Sequence, residues 1–128
     1  MAHWISIEEG SYLVEAGFLF TAGYSAVRLD DALIEVYLDG NEERRLRGQG
    51  MATNALIVEL LEDYDDIDLL VDLGSEFHYL LKTPKIMGGK VFSPDVKSVI
   101  RFAATGPAQR LSSSEYTQLR DRFALLDR

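Results

Sequence analysis

A chain of 128 residues, 47% of them hydrophobic, has the length of one domain, and a domain of this size buries roughly 65–70% of the surface its unfolded form exposes. The absence of cysteine excludes disulfide scaffolds, thiolate metal sites and cysteine nucleophiles. A net charge of −8 argues against direct nucleic-acid binding, because general binders draw their affinity from neutralising phosphates with Lys and Arg.

The first residues, Met1-Ala2-His3-Trp4, hold no basic region followed by an apolar run, and no apolar segment approaches the roughly 20 residues of a membrane span. A cytoplasmic protein without a cleaved signal and without a membrane contact is expected. Segments 5–8 and 12–20 are rich in β-branched and aromatic residues and predict strands meeting at turns, with Gly10 and Gly17 as interruptions. Segments 24–29 and 32–38 predict two more, joined near Asp30-Asp31, and Asp39-Gly40-Asn41 supplies turn residues. The first forty residues thus read as an antiparallel meander.

After Gly50 the period changes. Residues 51–64 contain good helix formers, no Gly or Pro, and more apolar positions than one stripe needs, so they predict a helix packed between a sheet and another element. Residues 67–73, Ile-Asp-Leu-Leu-Val-Asp-Leu, predict a strand, and strand, helix, strand implies a parallel pair of 32–38 and 67–73 with a right-handed crossover. Residues 75–81 predict a short helix ending before Pro84, and Gly88-Gly89 within 85–92 signals a hairpin. Ser93-Pro94-Asp95 resembles an N-cap with proline at the first helical position, which predicts a helix to about Ala104. Ser112 and Glu115 form a capping-box pattern ahead of Tyr116, Leu119, Phe123 and Leu126 at helical spacing.

The expected fold is α/β (α+β): a mixed central sheet with an antiparallel N-terminal meander, a β-α-β crossover and helices packed on the sheet. Residues 1–128 form a single domain in this reading, with a C-terminal helical extension from about 93 to 128.

The stretch Arg44-Arg45-Leu46-Arg47-Gly48-Gln49-Gly50 collects cations and glycines between the meander and the apolar helix. One reading is a turn with cationic decoration. The other is an anion cradle, since unpaired amides at a helix N-terminus point outward together and glycine lets an oxyanion approach the backbone.

Arg45-Leu46-Arg47-Gly48-Gln49-Gly50 resembles the R/Q-x-x-G-x-G/A signature of the GNAT-type N-acetyltransferases, and the order of predicted elements from about 12 to 92 is similar to that fold. The resemblance implies acetyl-CoA as cofactor, with Arg45, Leu46, Arg47, Gly48, Gln49 and Gly50 around its pyrophosphate. It implies acetyl transfer to an amine, with a base in the strand before the motif and a tyrosine acid near the coenzyme sulfur. Glu35 is the acid inside that strand and Tyr79 the matching tyrosine, with His78 beside it able to titrate near neutral pH.

From Glu59 to Glu76 the chain carries Glu59, Glu62, Asp63, Asp65, Asp66, Asp68, Asp72 and Glu76 with no Lys or Arg. That run reads either as a solvated face or as a surface for a cationic amine or basic protein substrate. A second functional class stays open beside the transferase: a non-catalytic acidic interaction or inhibitor protein that uses the fold as a scaffold.

Overall fold

The computed structural model describes residues 3–63, 66–88 and 95–126. The long strand β3 (Ser25–Leu38) organises everything else. Two strands were expected here, joined near Asp30-Asp31; one strand runs through instead, with a register shift between Asp30 and Leu33 and Asp31 in the left-handed region at φ 49°. Such a bulge bends a strand and sharpens its twist, so the two halves of β3 serve different neighbours. Its first half pairs antiparallel with β2 (Ala16–Thr21), Gly17 lying opposite Leu29. Its second half pairs antiparallel with β1 (Gly10–Leu13), Tyr12 lying opposite Ile34. The predicted strand over 12–20 is therefore two strands, and 5–8 is irregular, although Ile5 is buried in the core.

The other edge of β3 carries β4 (Arg44–Thr53), reached through the Asp39-Gly40-Asn41 turn as expected. Beyond β4 lie β8 (Lys97–Ala103) and β7 (Lys85–Met87); beyond β2 lie β5 (Ile67–Asp72), β6 (His78–Leu81) and β9 (Gln109–Leu111). The order is β7-β8-β4-β3-β2-β5-β6-β9, antiparallel at every step. A final short strand, β10 (Ala124–Leu125), runs parallel to Ser25 and Ala26.

This architecture overturns the expected mixed α/β sheet. The described residues are mostly strand with two helices, a curled antiparallel half-barrel rather than a parallel crossover with helices packed on it. Segments 32–38 and 67–73 are not neighbours, because β2 stands between β3 and β5. Helix α1 (Asn54–Asp63) does link β4 to β5, but it carries the chain past β3 and β2 to the far half of the sheet. It starts later than expected because residues 51–53 continue β4; Tyr64, its expected end, lies outside the described residues.

Three other expectations change. Residues 75–81 form a turn with Ser75 and Glu76 at positive φ, followed by β6, not a helix. The helix expected up to Ala104 is strand β8, whose Ser98, Ile100 and Phe102 face inward while Lys97, Val99 and Arg101 face out. The hairpin expected over 85–92 keeps β7 as its first arm, but β7 pairs with β8, and the second arm lies outside the described residues.

Two apolar clusters hold the sheet. Inside the curl, Leu19, Val27, Leu29, Ile34, Leu46, Leu69, Tyr79, Ile100 and Phe102 pack with Ile57 and Leu60 of α1. On the outer face of the β2-β5-β6-β9 half, Phe18, Phe20, Leu70 and Leu111 pack under Tyr116 of α2 (Ser113–Arg120), with Leu119 and Phe123 at the margin. β2 is consequently buried on both faces, which explains its uninterrupted apolar sequence. Both halves of the predicted capping box are present: Ser112 Oγ accepts from the Glu115 amide and the Glu115 carboxylate accepts from the Ser112 amide. Ser112→Ala should lower stability by about 1 kcal/mol in a denaturant titration with an unchanged slope.

Candidate functional site

The arginine-glycine stretch lies at the centre of the sheet. β4 is bonded to β3 on one side and β8 on the other, with Gly48 opposite Ile34 and Phe102 and Gln49 opposite Leu33 and Arg101. Strand neighbours on both sides use the backbone polar groups that a phosphate cradle would need. Neither the turn nor the cradle forms at residues 44–50, and the helix opens at Asn54 instead.

The glycines have a packing reason. Leu46, Gly48, Gly50 and Ala52 alternate inward, and the Phe102 ring lies over Gly48, where an added Cβ would sit 2.5 Å from Cζ and also overlap the Leu33 carbonyl oxygen. At Gly50 a Cβ would come within 2.9 Å of the Leu29 Cβ. Leu46 is wholly buried.

The alternate residues of β4 face outward, and they compose the most distinctive surface on the molecule. Cross-strand register places Lys85, Ala103, Arg47, Glu35 and Ser11 in one row over β7, β8, β4, β3 and β1. The next row is Met87, Arg101, Gln49, Leu33 and Leu13. Met51 beside Val99, and Thr53 beside Lys97, extend it on one flank; Tyr37 beside Arg45 extends it on the other. Among the described residues no helix covers this half, whereas α2 covers the outer face of the other half. Leu13 is 82% exposed, and Met87 and Val99 are each more than 40% exposed.

The face is locally cationic although the chain is acidic. Arg47 donates from Nε and Nη2 to Glu35 Oε1 at 2.9 and 2.6 Å, and its guanidinium lies 4.5 Å from the Tyr37 ring centre. Arg45 is held by Asp39 and Glu43 and stacks 3.6 Å above the Trp4 ring. Its hydrogen bond, with those from the Glu43 and Asn41 amides, holds the Asp39 carboxyl below the usual carboxylate range, so this support for the turn is present at neutral pH and fades on acidification. Lys97 is paired with Asp30, whose hydrogen bond raises the ammonium pKa. Among the described residues Lys85 and Arg101 have no carboxylate within ion-pair distance.

The expected acid–base pair is not brought together. Glu35 is half exposed on the outer face of β3 and ion-paired with Arg47. Tyr79 is on β6 rather than a helix, 1% exposed in the inner core, with its hydroxyl 3.2 Å from Ser6 Oγ. The two therefore occupy opposite faces of the sheet.

The acidic run is partly structural. Asp68 accepts from Lys82 and from the Thr83 amide, and Asp72 accepts from the Gly74 amide. Among the described residues no cluster of His, Asp and Glu could hold a metal ion, and no helix is long and apolar enough to cross a membrane. Sequence reasoning missed Lys85, Met87, Val99 and Arg101; the alternation in Lys97-Ser98-Val99-Ile100-Arg101-Phe102 was the signal available for the last two. No protein-family model matches this chain, and neither the curated proteins nor the solved structures contain a match to it.

Proposed function

We propose that the protein is a binding module whose uncovered β7-β8-β4-β3-β1 face takes an acidic, partly apolar segment of another protein. The supporting observation is the cross-strand grid in which Lys85, Arg101 and Arg47 alternate with Leu13, Leu33, Met87 and Val99 on one sheet face that no helix covers among the described residues. Exposed ion pairs such as Arg47–Glu35 contribute only about 0–1 kcal/mol, so a partner carboxylate can replace Glu35 at small cost. Apolar side chains between the cations supply the area that charge alone does not. A protein partner is favoured over nucleic acid because Leu13, Met87 and Val99, exposed between the cations, offer apolar contacts that a phosphate backbone does not use. It is favoured over acetyl transfer because residues 45–50 offer strand-bonded backbone and no open amide cluster.

The test uses a fluorescent peptide alternating Glu with Leu, its Lys-for-Glu counterpart, and a short oligothymidylate. The acidic peptide should bind with an affinity that falls as salt is added, and Lys85→Glu with Arg101→Glu should weaken it at least tenfold while the thermal midpoint stays put. Absence of binding at millimolar peptide, equal binding of the lysine peptide, or tighter binding of the oligonucleotide would overturn the reading.

A further inference from the structure

On the opposite side of the molecule, β5, β6 and the start of α2 converge on one histidine. His78 sits directly across from Asp72 in the β5-β6 ladder and from Leu111 in the β6-β9 ladder. It is 7% exposed, and its ring stacks on Tyr116 with centroids 4.3 Å apart and planes 15° from parallel. Its Nδ1 faces Asp72 Oδ1 at 3.3 Å, not aligned as a hydrogen bond and without another partner among the described residues. Its Nε2 lies 3.5 Å from Ser113 Oγ. The Asp72 carboxylate is itself oriented by the Gly74 amide at 2.8 Å.

We infer that Asp72, His78 and Ser113 form a hydrolytic site for small carboxylic esters, with Ser113 as nucleophile, His78 as general base and Asp72 positioning the imidazole. Three observations carry it. The carboxylate, imidazole and hydroxyl are in series, each ring nitrogen facing one neighbour, which is the order that nucleophile activation requires. Both separations exceed the ~2.6–3.2 Å of formed hydrogen bonds, as is common for catalytic groups before substrate is bound. Second, Ser113 is exposed at the first position of α2 and lines an open cleft of about 610 Å³ with Glu76, Leu111, Ser112 and Ser114. Third, the box formed by Ser112 and Glu115 occupies the Ser112 and Glu115 amides, whereas the intervening Ser113 and Ser114 amides belong to the turn whose N–H groups lack intrahelical acceptors. They are available to a developing oxyanion.

The chemistry is redox neutral. Ser113 Oγ attacks the ester carbonyl carbon as its proton passes to His78 Nε2. The carbon–oxygen bond to the alcohol then breaks, and the alcohol leaves with that proton. Water next gives a proton to His78 and attacks the acyl-serine, which releases the carboxylic acid and returns the proton to Ser113. Stacking on Tyr116 fixes the ring plane through both steps.

A fluorophosphonate probe reports on the nucleophile without needing the natural ester. Intact-mass and peptide mapping should locate one adduct on Ser113, absent in Ser113→Ala. His78→Gln should slow labelling at least 100-fold, and p-nitrophenyl acetate turnover should follow the same pattern. Because a variant at buried His78 can lose its fold, Ser113→Cys provides a second readout: the native chain has no cysteine, so the introduced thiol is the sole one. Its alkylation by iodoacetamide should persist to lower pH than that of a control thiol at Ser114. A serine that merely begins a helix would show none of this. No Ser113 adduct under excess probe, equal labelling of Ser112 or Ser114, or a Ser113→Cys thiol indistinguishable from the control would overturn the assignment.

Discussion

Gly48→Val should lower the thermal midpoint by roughly 10 °C or more, equivalent to about 3 kcal/mol, and could remove the cooperative transition altogether. The substitution drives a branched side chain into the Phe102 ring on one side and the Leu33 carbonyl on the other. The ring is a side chain that a substitution can remove; the carbonyl is backbone of Leu33, which is paired with Gln49 on one side and Leu13 on the other, and stays in place. Removing the ring therefore should not rescue the fold: Gly48→Ala combined with Phe102→Ala should be less stable than either single variant. Gly40→Ala is the control, because nothing lies within 4 Å of the added carbon, and it should stay within about 0.5 kcal/mol of the parent. A phosphate-cradle glycine would behave in the opposite way, losing a ligand and keeping the fold. If Gly48→Val unfolds at the parent's temperature, the close approach of β4 to Phe102 is refuted.

Phe18→Ala should cost about 3–5 kcal/mol, the range for emptying a buried aromatic site. Phe18 is 1% exposed and faces α2, its ring centroid 5.4 Å from that of Phe123 and the Arg120 guanidinium 5.1 Å from its ring. Its loss removes the floor on which the C-terminal segment rests. Hydrogen exchange should accordingly show the amides of α2 and of Leu126, which donates to the Ala26 carbonyl, losing protection more than those of β4 and β8. Uniform loss across all these strands would mean that α2 and the half-barrel open as one unit.

How much of this was legible in the residues depends on which signal dominated each segment. The edges of β5, the Asp39-Gly40-Asn41 turn and the Ser112–Glu115 cap were readable because each rests on local chemistry: β-branched content, turn residues and a side chain reaching its own helix. β4 was not readable, because its inward positions include two glycines. A period of two with Leu46, Gly48, Gly50 and Ala52 as the buried set looks like a loop until Phe102, more than fifty residues away, is known to fill the space above it. The apparent N-cap at Ser93-Pro94-Asp95 similarly drew attention from the alternation in β8.

The binding face was half visible. Arg45, Arg47 and Glu35 stood out in the sequence and do share a face, but as cross-strand neighbours rather than as a cofactor loop and its base. Lys85, Arg101 and Leu13 become part of it only through registers between strands far apart in the chain. Asp72 and His78 are six residues apart and had both been noticed singly; Ser113 joins them only because β9 docks on β6 and carries the start of α2 with it.

The strand order also governs when the protein can become itself during synthesis. β4 and β6 are made by residue 81, yet each obtains its outer neighbour only from residues 97–111, through β8 and β9. A nascent chain that has released β1 to β7 therefore displays two unsatisfied strand edges at once, the situation that invites pairing with another chain. Non-local pairing of this kind also places folding in the slow, millisecond-to-second regime typical of β topologies. Arg45 and Arg47 lie on the waiting β4 edge, and charged side chains on an edge strand disfavour its pairing with another chain.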